Sequence, residues 1–444
     1  MRGINVGLIG WGTVGSGVIK ILQENGPLIE KRLGSKIVLK RVADIDLKTE
    51  REVKVNRGVL TDRADEVIAD PEIDVVLELI GGEEPARSYI LEAFKQGKHV
   101  VTANKALLAT HLDELYQVAQ QCNVDLNFEA AVGGGIPIIR TLKEGFVAER
   151  IETIFGILNG TSNYILSTMT NEGGRFTEVL RQAQAKGYAE VDPSLDIDGI
   201  DAAHKLAILI KLAFGAKVPF EDIFIEGISD ITPLDIQFGR EFGYKIKLLA
   251  IGKTDGEAIE ARVHPTMLPS DHLLATVDGV FNAIFLRGNA VGETLFFGQG
   301  AGMMATGSAV VSDLIELSRN ILKGTRKRVP ILSFQGPSIR EGKVKDIEDI
   351  VRPYYMRFSA LDRPGVLSKI SGVLGKNEIS IASVIQKGRG VSEAVPVVMM
   401  THEARERNVR KALREIDQMD VILNETMLIR VEDELSGLAR GVEK

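Results

Sequence analysis

Through the first 130 residues, short β-branched runs alternate with longer stretches of helical periodicity. Ile4–Ile9, Ile37–Ala43, Asp74–Ile80, His99–Ala103 and Asp125–Ala130 read as strands, and Val14–Asn25, Pro85–Gln96 and Leu112–Cys122 as helices between them. Strands joined by helical crossovers imply right-handed βαβ units and a parallel sheet covered on both faces. The runs Val75-Val76-Leu77 and Val100-Val101 lack polar alternation, as strands buried on both sides do.

The pattern then changes. Gly133-Gly134-Gly135 opens a region in which Ile151–Leu158 reads as a strand, 161–170 as a helix and Gly199–Phe214 as a second helix after an acidic stretch. Further strands are expected near Val263, Gly279–Phe285 and Glu293–Phe297, which makes this an α+β region with an antiparallel or mixed sheet. The apolar helical stretch 305–322 is expected to pack back on the first region. Residues 326–353, punctuated by Pro330, Pro337 and Pro353, read as a linker. From 354 to 431 the order is strand, helix, strand, strand, helix, strand, a ferredoxin-like βαββαβ unit. The expected domains are 1–130, 131–325 and 354–431, and the fold class is α/β.

Composition narrows the function. The 444 residues are 44% hydrophobic and 26% charged, with a formal net charge of −7, ordinary for a globular protein and unsuited to a polyanion such as nucleic acid as main partner. The single Cys122 makes neither an internal disulfide nor a cysteine-based zinc site. The apolar start is broken by Gly10 and Gly12, so no signal peptide is read, and no run is long enough to span a membrane. A cytoplasmic protein is expected.

Four constellations carry candidate chemistry. Gly10-Trp11-Gly12-Thr13-Val14-Gly15 follows the first strand and opens a helix, the arrangement that brings backbone N–H groups and a helix N-terminus to a dinucleotide pyrophosphate. This makes the first region a Rossmann-type domain. Asp44, ending the second strand, is placed to accept from a ribose 2′-OH and so to favour NAD, although Lys40, Arg41 and Lys48 flank it. Lys105, just after a buried strand end, lies where ligands of parallel sheets bind. In Glu190 through Lys205 several carboxylates precede a lysine. Asp201 and Lys205 form an i,i+4 pair on a partly apolar helix face, either a tuned proton donor or simply an ion pair at an acidic helix start. Glu129 through Pro137 reads as an interdomain hinge or as a site for a monovalent cation.

Together these segments resemble the homoserine dehydrogenase family over residues 1 to about 325. The resemblance rests on the Gly10–Gly15 turn, Thr102-Ala103-Asn104-Lys105-Ala106, Glu129 through Pro137, Asn159-Gly160-Thr161-Ser162-Asn163-Tyr164, Gly187-Tyr188-Ala189-Glu190 through Lys205, and Gly298-Gln299-Gly300-Ala301-Gly302. It implies reversible NAD(P)H-dependent reduction of L-aspartate 4-semialdehyde to L-homoserine, toward threonine, methionine and isoleucine. By the same resemblance Gly10, Gly12 and Gly15, with Trp11, Thr13 and Val14 between them, hold the pyrophosphate, and Lys105 reaches nicotinamide and substrate. Lys205 is the implied general acid, with Asp201 beside it. Glu190 holds the substrate ammonium with Asp196 and Asp201 ordering that end, Thr161 is a substrate-site or nicotinamide-loop contact, and Tyr188 is a substrate-side one. Glu129, Val132, Gly134 and Ile136 match a family site for a monovalent cation such as sodium. Many family members carry Arg or Lys where this chain has Ala43 beside Asp44, so NAD or dual use is expected rather than strict NADP.

Residues 354–431 resemble an ACT domain through Phe358-Ser359-Ala360-Leu361-Asp362-Arg363-Pro364-Gly365-Val366-Leu367 and Asn377-Glu378-Ile379-Ser380-Ile381. This implies an amino-acid effector, with threonine the first expectation and Asp362 and Asn377 its contacts, or else an assembly module. A homodimer or homotetramer is expected, with no nucleic-acid or membrane partner. Two other readings stand beside this one: another NAD(P) oxidoreductase acting on an amino-aldehyde or imine, and a non-catalytic nucleotide and amino-acid sensor. Lys105, Glu190, Asp201 and Lys205 together favour an enzyme, because binding alone needs no proton donor.

Overall fold

A computed structural model describes residues 3–387 and 394–433. Residues 1–2 of the expected first domain and 388–393 of the expected ACT segment lie outside the described residues. The chain folds into two units and passes between them several times. The first comprises the chain up to Leu158, Asp201–Ile223 and Phe281–Gly342; the second comprises Asn159–Ile200, Phe224–Val280 and the chain from Lys343.

In the first unit, β1 (Ile4–Ile9), β2 (Ile37–Ala43), β3 (Leu60–Thr61), β4 (Val75–Glu78), β5 (His99–Thr102) and β6 (Leu126–Asn127) form a parallel sheet in the order β3-β2-β1-β4-β5-β6. The order reverses between β1 and β4, the switch point at which open α/β sheets bind ligands beyond their carboxyl ends. Helix α1 (Thr13–Glu24) leaves β1 there, and α2 (Lys105–Gln121) leaves β5. The α2 helix begins at Lys105, seven residues before the expected Leu112, because the Asn104 side chain accepts the Leu107 N–H at 3.2 Å and caps an earlier start.

Helix α3 (Ile200–Phe214) carries Asp201 and Lys205, and α4 (Met303–Leu322) lies against α1. A glycine pair makes the second contact possible. A Cβ on Gly17 would fall 2.0 Å from the Met303 carbonyl oxygen, and one on Gly307 would fall 2.8 Å from the Gly17 carbonyl carbon. Around that crossing Leu8, Val18, Ile21, Val310, Leu314 and Leu317 share one apolar core, each burial being worth on the order of 1.5–3 kcal/mol. The same unit holds an antiparallel trio, Ile151–Ile157, Phe281–Gly288 and Gly292–Gln299.

In the second unit, β7 (Tyr244–Thr254) and β8 (Ala258–Pro269) form a long hairpin that the sequence reading missed apart from Val263. It continues into β12 (Ile422–Val431), β9 (Tyr354–Leu361), β11 (Ala394–Thr401) and β10 (Ile381–Gln386), in the order β7-β8-β12-β9-β11-β10. Helices α5 (Val366–Lys376) and α6 (Glu406–Asp417) complete the expected βαββαβ order. The α6 helix buries Val409, Ala412, Leu413 and Ile416 along one face. The β8–β12 join is parallel, pairing Thr266 with Arg430 and Met267 with Val431, so the ACT-like strands extend the sheet of the hairpin.

The 326–353 stretch, read as a linker, contains paired two-residue strands: Arg340–Glu341 with Ala216–Lys217, Lys343–Val344 with Ala258–Ile259, and Val351–Arg352 with Ala404–Arg405. Strands this short carry no readable period. Among the described residues no helix is long and apolar enough to cross a membrane.

Candidate active site

At the end of β5 a buried carboxylate sets the geometry. Glu78, closing the apolar strand β4, accepts from Thr102 Oγ1 at 2.6 Å and from the Ile80 N–H at 2.9 Å. Burial pushes its carboxyl up from the usual value. Thr102 Oγ1 in turn accepts the Asn104 N–H at 3.0 Å, and Asn104 Nδ2 donates to the Gly82 carbonyl at 2.5 Å. This chain of bonds fixes where α2 starts, and hence where Lys105 projects.

Lys105 meets Asp201. Its Nζ lies 2.5 Å from Asp201 Oδ1, while Lys205 Nζ lies 2.7 Å from Oδ2 of the same carboxylate. Lys205 Nζ also donates to the Leu158 carbonyl at 2.6 Å, and that oxygen accepts from Asn282 Nδ2 at 3.0 Å. Lys205 is 7% exposed and Asp201 4%. Burial alone would raise the Asp201 carboxyl, but the Lys205 and Lys105 ammoniums more than offset it and hold it well below the usual range. His204 stacks on Phe220 with ring centres 4.6 Å apart, and burial pushes its pKa down. Two ammoniums converge on one buried carboxylate, an arrangement suited to an oxygen on which negative charge develops.

At the end of β1 the glycine turn has the form a phosphate needs. Gly10 has φ +102°, and a Cβ there would sit 2.7 Å from the Leu79 carbonyl; one on Gly15 would sit 2.2 Å from the Gly10 carbonyl oxygen. At Gly12, the N-cap of α1, a Cβ would meet nothing within 4 Å, so backbone there faces open space. The first turn of α1 carries no acidic residue and its N-cap has no side-chain acceptor, which leaves N–H groups for an anion. The residues present therefore fit a dinucleotide. Asp44 Oδ2 accepts the Trp11 N–H at 2.6 Å, joining β2 to that turn.

The cation candidates form a tight loop. Glu129 turns its carboxylate onto the Ile139 and Arg140 N–H groups at 2.9 and 2.7 Å, while its own N–H donates to Asp313 Oδ2 at 2.7 Å. Gly134 has φ +54°, and a Cβ on it would strike Gly300 at 2.5 Å; the Gly135 N–H donates to the Gln299 carbonyl at 2.9 Å. The Glu129 carboxylate is thus engaged on N–H groups, and the Glu129 and Ile136 carbonyls accept the Val132 and Ile138 N–H groups at 3.5 and 2.8 Å.

The other candidates lie in the second unit. Thr161 Oγ1 donates to the Tyr188 carbonyl at 2.6 Å, and the Tyr188 ring packs against Tyr164 at 5.0 Å. Asp196 Oδ1 accepts from Asn159 Nδ2 at 2.6 Å, and its carbonyl accepts from Ser162 Oγ at 2.6 Å. Glu190 is exposed, with its carbonyl accepting from Gln184 Nε2 at 3.1 Å. Asp362 is exposed before α5, whereas Asn377 is buried at its far end and donates from Nδ2 to the Val373 carbonyl at 3.0 Å. Eleven helical residues, a span of about 16 Å, therefore separate Asp362 from Asn377 within one chain. Sequence reasoning missed Glu78, His204 and Asn282 and read Thr102 and Asn104 only as members of a motif; the legible signal was a carboxylate ending the otherwise apolar β4.

Comparison with known proteins decides the family. Residues 10–129 match the homoserine dehydrogenase NAD binding domain, 137–315 match homoserine dehydrogenase, and 354–420 match the ACT domain. Homoserine dehydrogenase of Neisseria gonorrhoeae is 43% identical over 97% of this chain and 99% of its own length. The chain belongs to the homoserine dehydrogenase family. The crystal structure of a homoserine dehydrogenase from Thiobacillus denitrificans superposes with a TM-score of 0.91 at 45% identity, covering 97% of this chain and 99% of that one. A hyperthermophilic archaeal homoserine dehydrogenase mutant, solved in complex with NADPH, matches 74% of this chain and 100% of that one at 28% identity and a TM-score of 0.62. As a homoserine dehydrogenase, this chain is an NAD(P)-dependent oxidoreductase whose Gly10–Gly15 turn lies within the matched nucleotide-binding region, and which carries an ACT domain of the kind that binds amino-acid effectors.

Proposed function

We propose that this enzyme interconverts L-aspartate 4-semialdehyde and L-homoserine with Lys205 as general acid and base. The Lys105–Asp201–Lys205 cluster carries the reading. The nicotinamide, when bound, supplies the hydride to the aldehyde carbon. Negative charge then grows on the carbonyl oxygen, and the Lys205 ammonium gives it a proton; in the reverse direction Lys205 takes that proton from the hydroxyl. Asp201 holds both lysines in place, and Lys105 adds a second positive charge. Glu190 binds the substrate ammonium, Asp196 orders that end of the substrate, and Thr161 and Tyr188 shape the substrate side, roles that rest on the family resemblance. The test is homoserine-dependent reduction of NAD(P)+ by the purified chain, with Lys205→Ala losing turnover yet binding dinucleotide. No rise in the reduced-nicotinamide absorbance would sink the reading.

Three further parts belong to the same proposal. A monovalent cation such as sodium is held by the carbonyls of Glu129, Val132, Gly134 and Ile136. Threonine inhibits through the ACT domain, in the region of Asp362 and Asn377, and the protein is a cytoplasmic homodimer or homotetramer. Strand β10 lies at the end of its described sheet with Val384 40% exposed, which suits pairing with a second copy. For threonine the informative variant is Asp362→Ala rather than a truncation near 345, since truncation would remove β12 and Glu432, a partner of buried Arg262. An intact chain indifferent to threonine would leave the ACT domain as an assembly module.

A further inference from the structure

An acidic residue at the end of the second strand of a nucleotide-binding sheet accepts from a ribose 2′-OH and repels a 2′-phosphate. In this chain that residue, Asp44, is not a lone charge. Its Oδ2 accepts the Trp11 N–H at 2.6 Å, its Oδ1 accepts the Asp46 N–H at 2.8 Å, and Arg51 Nη2 lies 3.4 Å from Oδ1. The guanidinium is held there by three carbonyls: Nε donates to Trp11 at 2.6 Å, Nη2 to Asp46 at 2.7 Å and Nη1 to Thr49 at 3.1 Å. Its central carbon also stands 4.5 Å over the Trp11 ring. Two of the three cations that flank Asp44 in sequence point elsewhere. Lys40 pairs with Asp70 and Glu72, and Arg41 with Glu66 and Asp70. Asp44 and Arg51 each keep 13% of their side-chain exposure, so the pair sits at the rim of the glycine turn rather than sealed beneath it.

A carboxylate with a guanidinium fixed this close presents little net charge to a third group nearby. We propose that Arg51 is the specificity-determining residue for the dinucleotide. By neutralising Asp44 it lets one site accept the 2′-hydroxyl of NAD and the 2′-phosphate of NADP. Nothing at the second strand itself would show this, because Arg51 comes seven residues after Asp44 and reaches it only through the fold of the 44–51 loop. The proposal rests on residues 10–129 forming the NAD(P) site, and its test separates the two.

Trp11 is the single tryptophan of the chain, so its emission reports occupancy of the turn without turnover. The full-length protein, Arg51→Leu, Arg51→Lys, Asp44→Asn and the Asp44→Asn/Arg51→Leu double variant are titrated with 2′,5′-ADP and with 5′-AMP, and kcat/KM is measured with NADP+ and NAD+. Arg51→Leu should lose about ten-fold or more in 2′,5′-ADP affinity and in kcat/KM with NADP+, relative to 5′-AMP and NAD+, the size of one charge-assisted interaction. Asp44→Asn should move the ratio the opposite way, and the double variant should recover 2′,5′-ADP binding. Equal losses for both probes, or a double variant as poor as Arg51→Leu, would make Arg51 a fastener of the loop and overturn the proposal. If Arg51→Leu does not fold, Arg51→Lys and Asp44→Asn decide it by the same ratio. Failure of the unaltered protein to bind 5′-AMP would instead strike at the nucleotide site itself.

Discussion

Two clusters of buried charge look alike in composition and differ in place: one lies at the candidate site, the other where two strands join. In the first unit Asp201 faces both Lys105 and Lys205. In the second unit buried Arg430 makes a two-pronged contact with buried Glu406 at 2.9 and 2.5 Å, and buried Arg262 reaches buried Glu432 at 2.5 Å. Lys253 also donates to Glu432 at 2.8 Å, and Tyr354 OH donates to Glu406 at 2.9 Å. Burial would raise the Glu406 and Glu432 carboxyls, but the surrounding cations hold both below the usual range. Each buried arginine here has its own carboxylate, and the pairs stand where β12 joins β8. A matched pair fastens two parts of a sheet. Ammoniums gathered on a carboxylate at a candidate site serve instead to stabilise charge that develops on a substrate oxygen.

The comparison can be broken experimentally, most sharply at Lys205. Lys205→Met should lower kcat by about 10²–10⁴-fold, the usual contribution of a positioned proton donor, with the Tm and dinucleotide binding retained. Turnover within ten-fold of the intact enzyme would make the first cluster merely another fastener. Next comes Arg430→Met, which leaves the buried Glu406 carboxylate to Tyr354 and the more exposed Arg410 and should cost about 3 kcal/mol in urea unfolding. The Arg430→Met/Glu406→Gln double variant should regain most of that loss, and kcat per folded molecule should stay unchanged. Asp201→Asn should be milder, lowering kcat about ten- to a hundred-fold, because an amide oxygen holds one ammonium by a neutral rather than a charged contact. The smallest effect concerns acid. A carboxyl held below its ordinary value stabilises fully above about pH 5, and that contribution fades as pH falls through the lowered folded value. The Tm gap between the intact protein and Glu406→Gln should therefore be widest at neutral pH and close in acid. A gap that persists at low pH would show that Glu406 acts through packing instead.

Much of the frame was legible along the chain. Buried parallel strands announce themselves as apolar runs, and the glycine turn is local, so the nucleotide region and the βαββαβ order could be read from spacing. The Asp201–Lys205 pair was legible for the same reason, since i,i+4 on a helix is a local relation. Lys105 was legible as a strand-end residue but not as a partner of Asp201. Arg51 and Glu78 were invisible as site residues because each acts through bonds that close only after a loop or a neighbouring strand is in place. The hairpin 244–269 escaped because both strands are buried over much of their length and lose the alternation that marks a half-exposed strand.

The sequence by itself determined which elements form and which chemistry they carry: three matched regions in order, a phosphate-binding turn, a lysine one helical turn beyond an aspartate. Period and spacing are properties of neighbouring residues, so no fold is needed to read them. Tertiary structure alone decided where the charges meet. It placed a second lysine on Asp201, an arginine on Asp44 and a carboxylate against each buried arginine of the second unit, because these distances are set by strands and loops that meet far apart in sequence.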